Sequence, residues 1–158
     1  ETEPLFHNNV ATTLRDSIEF YASDEFFIAD NRRIVFTDSE LDDVERFLRV
    51  INYLDNVDNQ APPYGEKALI ALAQPEINEA LVTRLMDLAM ANCNDASDSL
   101  RGMKLHKDPD LVDAFKRARQ ARNLFRRVKD SSFSVSSRIK RCTKALGKLV
   151  EGHNFVVQ

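Results

Sequence analysis

"PEINEALVTRLMDLAMANC", residues 75–93, is the stretch on which the fold turns. Ile77, Leu81, Val82, Leu85, Met86, Leu88 and Ala89 recur at helical spacing and cover a wide arc, so the segment reads as a helix with apolar contacts around much of its circumference. Such a helix belongs at the centre of a bundle. Pro75 suits its first turn, where a missing N–H costs nothing.

The flanking sequence supplies the other helices. Upstream, "TDSELDDVERFLRVINYL" (37–54) opens with a capping box, in which Thr37 and Glu40 each serve the other's backbone amide. Leu41, Val44, Leu48, Ile51 and Leu54 then form one apolar stripe, with Phe47 beside them. Asp38, Glu40, Asp42 and Asp43 crowd the first turns, where the helix dipole favours negative charge, so they mark a helix start before they mark a cation site. "DNVDNQAPPYG" (55–65) reads as a loop, because Pro62, Pro63 and Gly65 do not continue a helix, and "EKALIALAQ" (66–74) as a short helix. Near the start, Val10, Leu14, Ile18 and Tyr21 predict a helix capped by Asn8 or Asn9. Two short apolar runs around Asp30-Asn31 predict a small β-hairpin near residues 25–36.

Downstream, "NDASDSLRGMKLHKDPD" (94–110) breaks the pattern, and Asp108-Pro109 is expected to start a helix running to about Lys129. "DSSFS" (130–134) links it to a last helix over 135–151, with Val135, Ile139, Cys142, Leu146 and Leu149 as its apolar seam. The fold class expected is therefore all-α, a compact multi-helix bundle with one small hairpin and no internal repeat. A chain of 158 residues, 43% hydrophobic and 30% charged, suits a single globular domain over 1–158. Opening at Glu1, without Met or a signal-peptide pattern, it is expected to be a fragment cut from a longer protein. No apolar run approaches the ~20 residues of a membrane helix. Two cysteines, Cys93 and Cys142, in apolar helical contexts suggest buried free thiols in a reducing compartment such as the cytoplasm.

The net charge of −3 conceals an asymmetry. Residues 1–100 carry 7 Lys/Arg against 20 Asp/Glu, a net of −13, while residues 101–158 carry 15 against 5, a net of +10. The basic part centres on "AFKRARQARNLFRRVK" (114–129), with seven cations and no acid. On a helical wheel, Leu111, Phe115, Ala118, Ala121, Leu124, Phe125 and Val128 take one half, and Lys116, Arg119, Arg122, Arg126 and Arg127 gather on the other. The last helix repeats the arrangement with Arg138, Lys140, Arg141, Lys144 and Lys148. If the two helices pair antiparallel, the basic faces join in one patch, with Arg119, Arg122, Arg126, Arg127, Arg141 and Lys144 as the binding candidates.

Three readings of that patch compete. The cations are solvated or neutralised by the acidic half; they bind an acidic protein partner, for which Arg is suited by its bidentate fork; or they grip phosphates of nucleic acid or an anionic membrane. A pI near 5.7, the absence of Trp, and the lack of aromatics interleaved with the cations weigh against the third. Signatures of phosphate-cradling loops, zinc proteases, serine hydrolases and calcium loops are absent, and no metal or cofactor is expected. The one constellation with nucleophilic chemistry is Cys93 with Asp95 two residues on and His106 beyond, at an expected helix-to-loop junction. A core cysteine before a helix-ending Asn-Asp explains the same residues, and a helix C-terminus beside a carboxylate disfavours a thiolate.

The order "RFLRVINYLDNVDN … EKALIALAQPEINEALVTRLMDLAMANCND … ARNLFRR", within residues 44–127, resembles the catalytic domain of the novel E3 ligase (NEL) family of bacterial effector ubiquitin ligases. Cys93-Asn94-Asp95 matches that family's Cys-x-Asp motif, and Arg122 to Arg126 its later Arg-x-apolar-Phe-Arg segment. The resemblance implies an all-helical enzyme of the host cytosol, with Cys93 accepting ubiquitin as a thioester and Asp95 assisting transfer to a lysine. The residues themselves favour a protein–protein interaction module acting through the basic helical faces, with the Cys93-dependent ligase and a nucleic-acid binder as alternatives.

Overall fold

The computed structural model describes residues 11–23 and 35–157. The chain divides into two compact units, Glu1–Arg49 and Val50–Gln158. The described residues hold six α-helices and no extended strand. The hairpin expected near 25–36 lies outside the described residues, apart from Val35 and Phe36, which belong to no strand.

In the first unit, α1 (Leu14–Tyr21) is capped by Thr13. The Thr13 hydroxyl accepts from the Asp16 amide at 3.1 Å, and Asp16 accepts from the Thr13 amide at 2.9 Å. Asn8 and Asn9 lie outside the described residues. Helix α2 (Asp38–Asp55) starts at the expected capping box: Thr37 N–H donates to Glu40 at 2.8 Å, and Glu40 N–H to the Thr37 hydroxyl at 3.3 Å. Those bonds hold the Glu40 carboxyl below its usual range, the Thr37 amide contributing most. Arg15 joins α1 to α2 through Asp42 and, at 3.2 Å, Asp38. The acid cluster is thus a helix start and an arginine seat, and no group of metal-ligating residues occurs among the described residues.

In the second unit, α3 (Ala61–Leu72), α4 (Glu79–Arg101), α5 (Val112–Val128) and α6 (Val135–Asn154) form a closed ring of four. Each helix packs on the next, and α6 returns to α3. The core between them is built largely of small residues, among them Ala68, Ala89, Ala118, Ala121 and Ala145, with Phe125, Leu72, Met86 and Leu149 filling the remaining volume. Helix α4 is one member of this ring, not its hub: Leu81 and Leu88 on its outer side are partly exposed.

Four local expectations change. Residues 55–65 are helical. A wide turn, Asn56–Gln60, carries the chain from α2 into α3, with the Ala61 N–H bonded to the Asn56 carbonyl five residues back. Pro62 and Pro63 then occupy the first turn of α3, where no amide needs an intrahelical acceptor. Gly65 is set by close packing: a Cβ there would lie 2.8 Å from Leu146 Cδ2 and 3.2 Å from Phe125 Cε1.

Helix α4 starts later than expected, at Glu79 with Asn78 as its cap, so Pro75 lies ahead of it and not in its first turn, and it runs past the expected break at Asn94, to Arg101. Ala96, Ser97, Ser99 and Leu100 are buried, and Ser97 and Ser99 return their hydroxyls to the Cys93 and Asp95 carbonyls, each at 2.8 Å. Small side chains on the packed face outweigh their modest helix propensity. The break falls instead at a tight turn, Gly102–Lys107, where Met103 and Lys104 take positive φ of 50° and 61°. Helix α5 begins at Val112 with Leu111 at its N-cap and no side-chain cap, so Asp108 and Pro109, expected as cap and first turn, instead form a turn ahead of it, where the Asp108 carboxylate accepts from the Asp110 amide at 2.9 Å and its carbonyl from Val112 at 2.8 Å.

Candidate functional site

Helix α5 buries Ala114, Phe115, Ala118, Ala121, Phe125 and Val128, and its neighbours take its two flanks. At about 100° per residue, Arg119, Arg122, Arg126 and Lys129 continue the line of Phe115 along one edge. That edge borders α4. Lys129 Nζ reaches Asp87 of α4 at 2.7 Å, and the Phe115 ring lies 5.9 Å from the guanidinium of Arg101, at the end of α4, and 5.6 Å from that of Arg119. Arg127, a further ~100° round, lies on the exposed outer face of α5, between that edge and the side toward α6. On the α6 side Arg117 Nε lies 3.0 Å from Glu151, with its N–H directed off the carboxylate, so the pair is Coulombic and not a hydrogen bond. Arg141 of α6 stacks 3.8 Å above the Phe133 ring and donates to the Ser137 hydroxyl at 2.6 Å.

Helices α5 and α6 do run antiparallel, as their contacts at both ends require. Of the six candidates, Arg119, Arg122 and Arg126 line the edge beside α4, Arg127 lies further round α5, and Arg141 and Lys144 stand on α6. Arg119, Arg126, Arg127 and Lys144 are exposed, while Arg122 and Arg141 are half-buried.

Pairing separates these residues from their neighbours. Arg101, Lys116, Arg117, Lys129, Arg138 and Lys148 all hold carboxylates, on Asp98, Asp113, Glu151, Asp87, Glu79 and Glu151. Among the described residues, none of the six candidates has a carboxylate in ion-pair range.

Arg138 does not belong to the basic face where its charge placed it. It is 1% exposed. Its Nε donates to the Val128 carbonyl at 2.7 Å, and its two terminal nitrogens hold both oxygens of Glu79 at 2.7 Å. One side chain of α6 thereby caps the C-terminal end of α5 and grips the first residue of α4. The fork holds the Glu79 carboxyl below its usual range. The signal was in the sequence: Arg138 stands four residues before Cys142, on the apolar seam itself. Its partner Glu79 carried no such signal.

Cys93 sits in mid-helix with no exposure, and burial pushes its thiol up to about 12, against a smaller opposing pull from Arg122. Asp95 is exposed. Two residues apart on a continuous helix are ~200° apart around its axis, so thiol and carboxylate do not converge. The helix-to-loop junction expected at Cys93 is absent, because α4 continues for two more turns. Cys142 is also buried; its thiol donates to the Gly65 carbonyl at 3.3 Å and is likewise pushed up to about 12 by burial. His106 lies with its ring 5.3 Å from Phe115, remote in role from either cysteine. No helix among the described residues is long and apolar enough to cross a membrane. Comparison with protein-family models, with curated proteins and with solved structures gives no match.

Proposed function

We propose that this chain is a protein–protein interaction module that binds an acidic protein partner through the basic residues of α5 and α6. One observation carries the proposal: Arg119, Arg122, Arg126, Arg127, Arg141 and Lys144 lie in no ion pair among the described residues, although Asp130 feels the charge of Arg141 and Glu151 that of Lys144, whereas the six other cations named above are paired. Rigid helices present these side chains, so little order has to be created on binding. Buried free thiols fit a reducing compartment such as the cytoplasm. Transfer of ubiquitin through Cys93 has no support from its burial, and it is kept apart by a simple variant: Cys93→Ala leaves a binding module its partner.

The test is a titration of a labelled acidic polypeptide and of labelled single- and double-stranded oligonucleotides, from low to high salt. Binding of the polypeptide, weakened on the order of 10-fold by Arg126→Glu with Arg127→Glu, is the expected result. Oligonucleotide binding whose log affinity falls linearly with log salt, with the polypeptide inert, would make phosphate the ligand and overturn the proposal.

A further inference from the structure

We infer that the partner's contacting element is a helix, seated along the α4–α5 edge, with three carboxylates spaced three and four residues apart on one face. The inference rests on the acidic-partner reading and assigns it a place and a shape. Arg119, Arg122 and Arg126 follow one another at intervals of three and four, so they form a straight row of about 10 Å along the axis of α5. A second helix lying alongside repeats its own side chains at the same rise, which brings Glu or Asp at positions i, i+3 or i+4, and i+7 opposite the three guanidinium groups.

The neighbouring wall of α4 leaves the row free. Asp87 is held by Lys129 at 2.7 Å at one end, and Asp98 by Arg101 at 3.0 Å at the other. Between them α4 presents exposed Ala91 and half-buried Asn94, neither of them a competing charge nor bulky. The row is therefore positive along its length and bounded at both ends by closed ion pairs, which set its span. Its backing is rigid: Ala118, Ala121 and Phe125 have no exposure. Nucleic acid fits less well, since Asp87 and Asp98 flank the row and Phe115, the aromatic beside it, is buried and offers no face for base stacking. The edge beside α6 is a poorer seat, because Arg141 is already stacked on Phe133 and tied to Ser137.

The experiment uses the whole chain and two helical peptides of one composition, read by fluorescence anisotropy at low salt. One peptide aligns its glutamates at i, i+4 and i+7; the other spreads them around the helix. The aligned peptide is expected to bind on the order of 10-fold more tightly, the worth of two extra charge pairs. That preference should vanish in Arg122→Glu with Arg126→Glu and persist in Arg141→Glu with Lys144→Glu, whatever the second pair does to total affinity. Circular dichroism of both variants checks that they are folded. Equal binding of the two peptides, or loss only in the α6 pair, overturns the inference and leaves the acidic-partner reading standing. If neither peptide binds and a single-stranded oligonucleotide does, both fall.

Discussion

Arg138 and Arg122 are the same residue type on adjacent helices of one ring, four or fewer residues from a buried core position in each case, and they end in opposite situations. Arg138 lies on the seam of α6, inside the bundle, and finds three acceptors there: the Val128 carbonyl and both oxygens of Glu79. Arg122 lies at the margin of α5, half-buried, with no carboxylate in range among the described residues. A guanidinium enters a protein interior only when its donors are met, since desolvating it unpaired costs several kcal/mol. Charge alone therefore does not say which arginines make a surface. Position on the wheel and the supply of acceptors decide it, and the same criterion separates the residues that hold this bundle together from those available to a partner.

The largest effect should come from breaking the Arg138 clamp. Glu79→Leu leaves a buried guanidinium with one acceptor, and should cost about 2–4 kcal/mol in urea unfolding; half-exposure of Glu79 keeps the loss from being larger. Arg122→Leu, with no partner to strand, should change stability by less than about 0.5 kcal/mol. Replacing both partners, Glu79→Leu with Arg138→Met, should recover much of the loss, because neither charge is then left alone. The pH dependence has a definite sign. The Glu79 carboxyl is held below its usual 4.5 in the folded state, so the stabilisation is fully present above that value and is lost as pH falls through the lower, folded one. Glu79→Gln should flatten the acid limb of the stability profile. A profile unchanged by that substitution would show that the carboxylate is not coupled to folding, and the contrast with Arg122 would collapse.

How far the sequence carried can be judged from such residues. The all-α class, the capping box at Thr37, the C-terminal end of α5 and the span of α6 were legible, because hydrophobic periodicity and caps are local signals. The two edges of α5 were only half legible. Arg119, Arg122 and Arg126 share a row by their numbering alone, but which helix borders that row depends on tertiary packing. Residues 55–65 and 94–101 depart from expectation for one reason. Pro, Gly, Ser and Asn count against a helix by intrinsic preference, whereas in the fold prolines fall in a first turn and Gly65, Ala96, Ser97 and Ser99 serve close helix approach. The running-on of α4 is also what moves Cys93 from an expected helix end to mid-helix.

An intermediate effect should appear within α6 alone, at its two glycines. Gly147 faces open space, with nothing within 4 Å of the point a methyl carbon would occupy, so Gly147→Ala should stabilise the helix by about 0.5–1 kcal/mol. Gly152 is closed. A Cβ there would fall on the Tyr53 hydroxyl, which has no exposure and donates to the Ala114 carbonyl at 3.0 Å. Gly152→Ala should therefore cost about 1–3 kcal/mol by overpacking. Tyr53→Phe removes the obstructing oxygen, so the double variant should cost less than the two single losses added together. Additive losses would mean that the helices part elsewhere to admit the methyl. The pair sharpens the comparison of arginines: one helix holds an interior residue and an outer one of identical chemistry, and only the interior one should be sensitive.

The smallest expected effect on binding is at Cys93. A thiol pushed up to about 12 by burial has almost no thiolate at neutral pH, and no exposure through which a reagent could reach it. Native protein should resist a soluble disulfide reagent at both cysteines for as long as it stays folded, and release two thiols on denaturation. Cys93→Ala should lower stability by about 1–2 kcal/mol through the lost packing of one sulfur, and leave binding to an acidic peptide within about 2-fold of the parent. Rapid labelling of one thiol in the folded chain would reverse this. It would mean that α4 opens near Cys93 on the timescale of the reagent, and a transfer reaction through that sulfur would then outrank the interaction surface on α5. Slow labelling at the rate of global unfolding instead assigns Cys93 to the core with Arg138, and removes the sulfur as a rival to the surface proposed on α5.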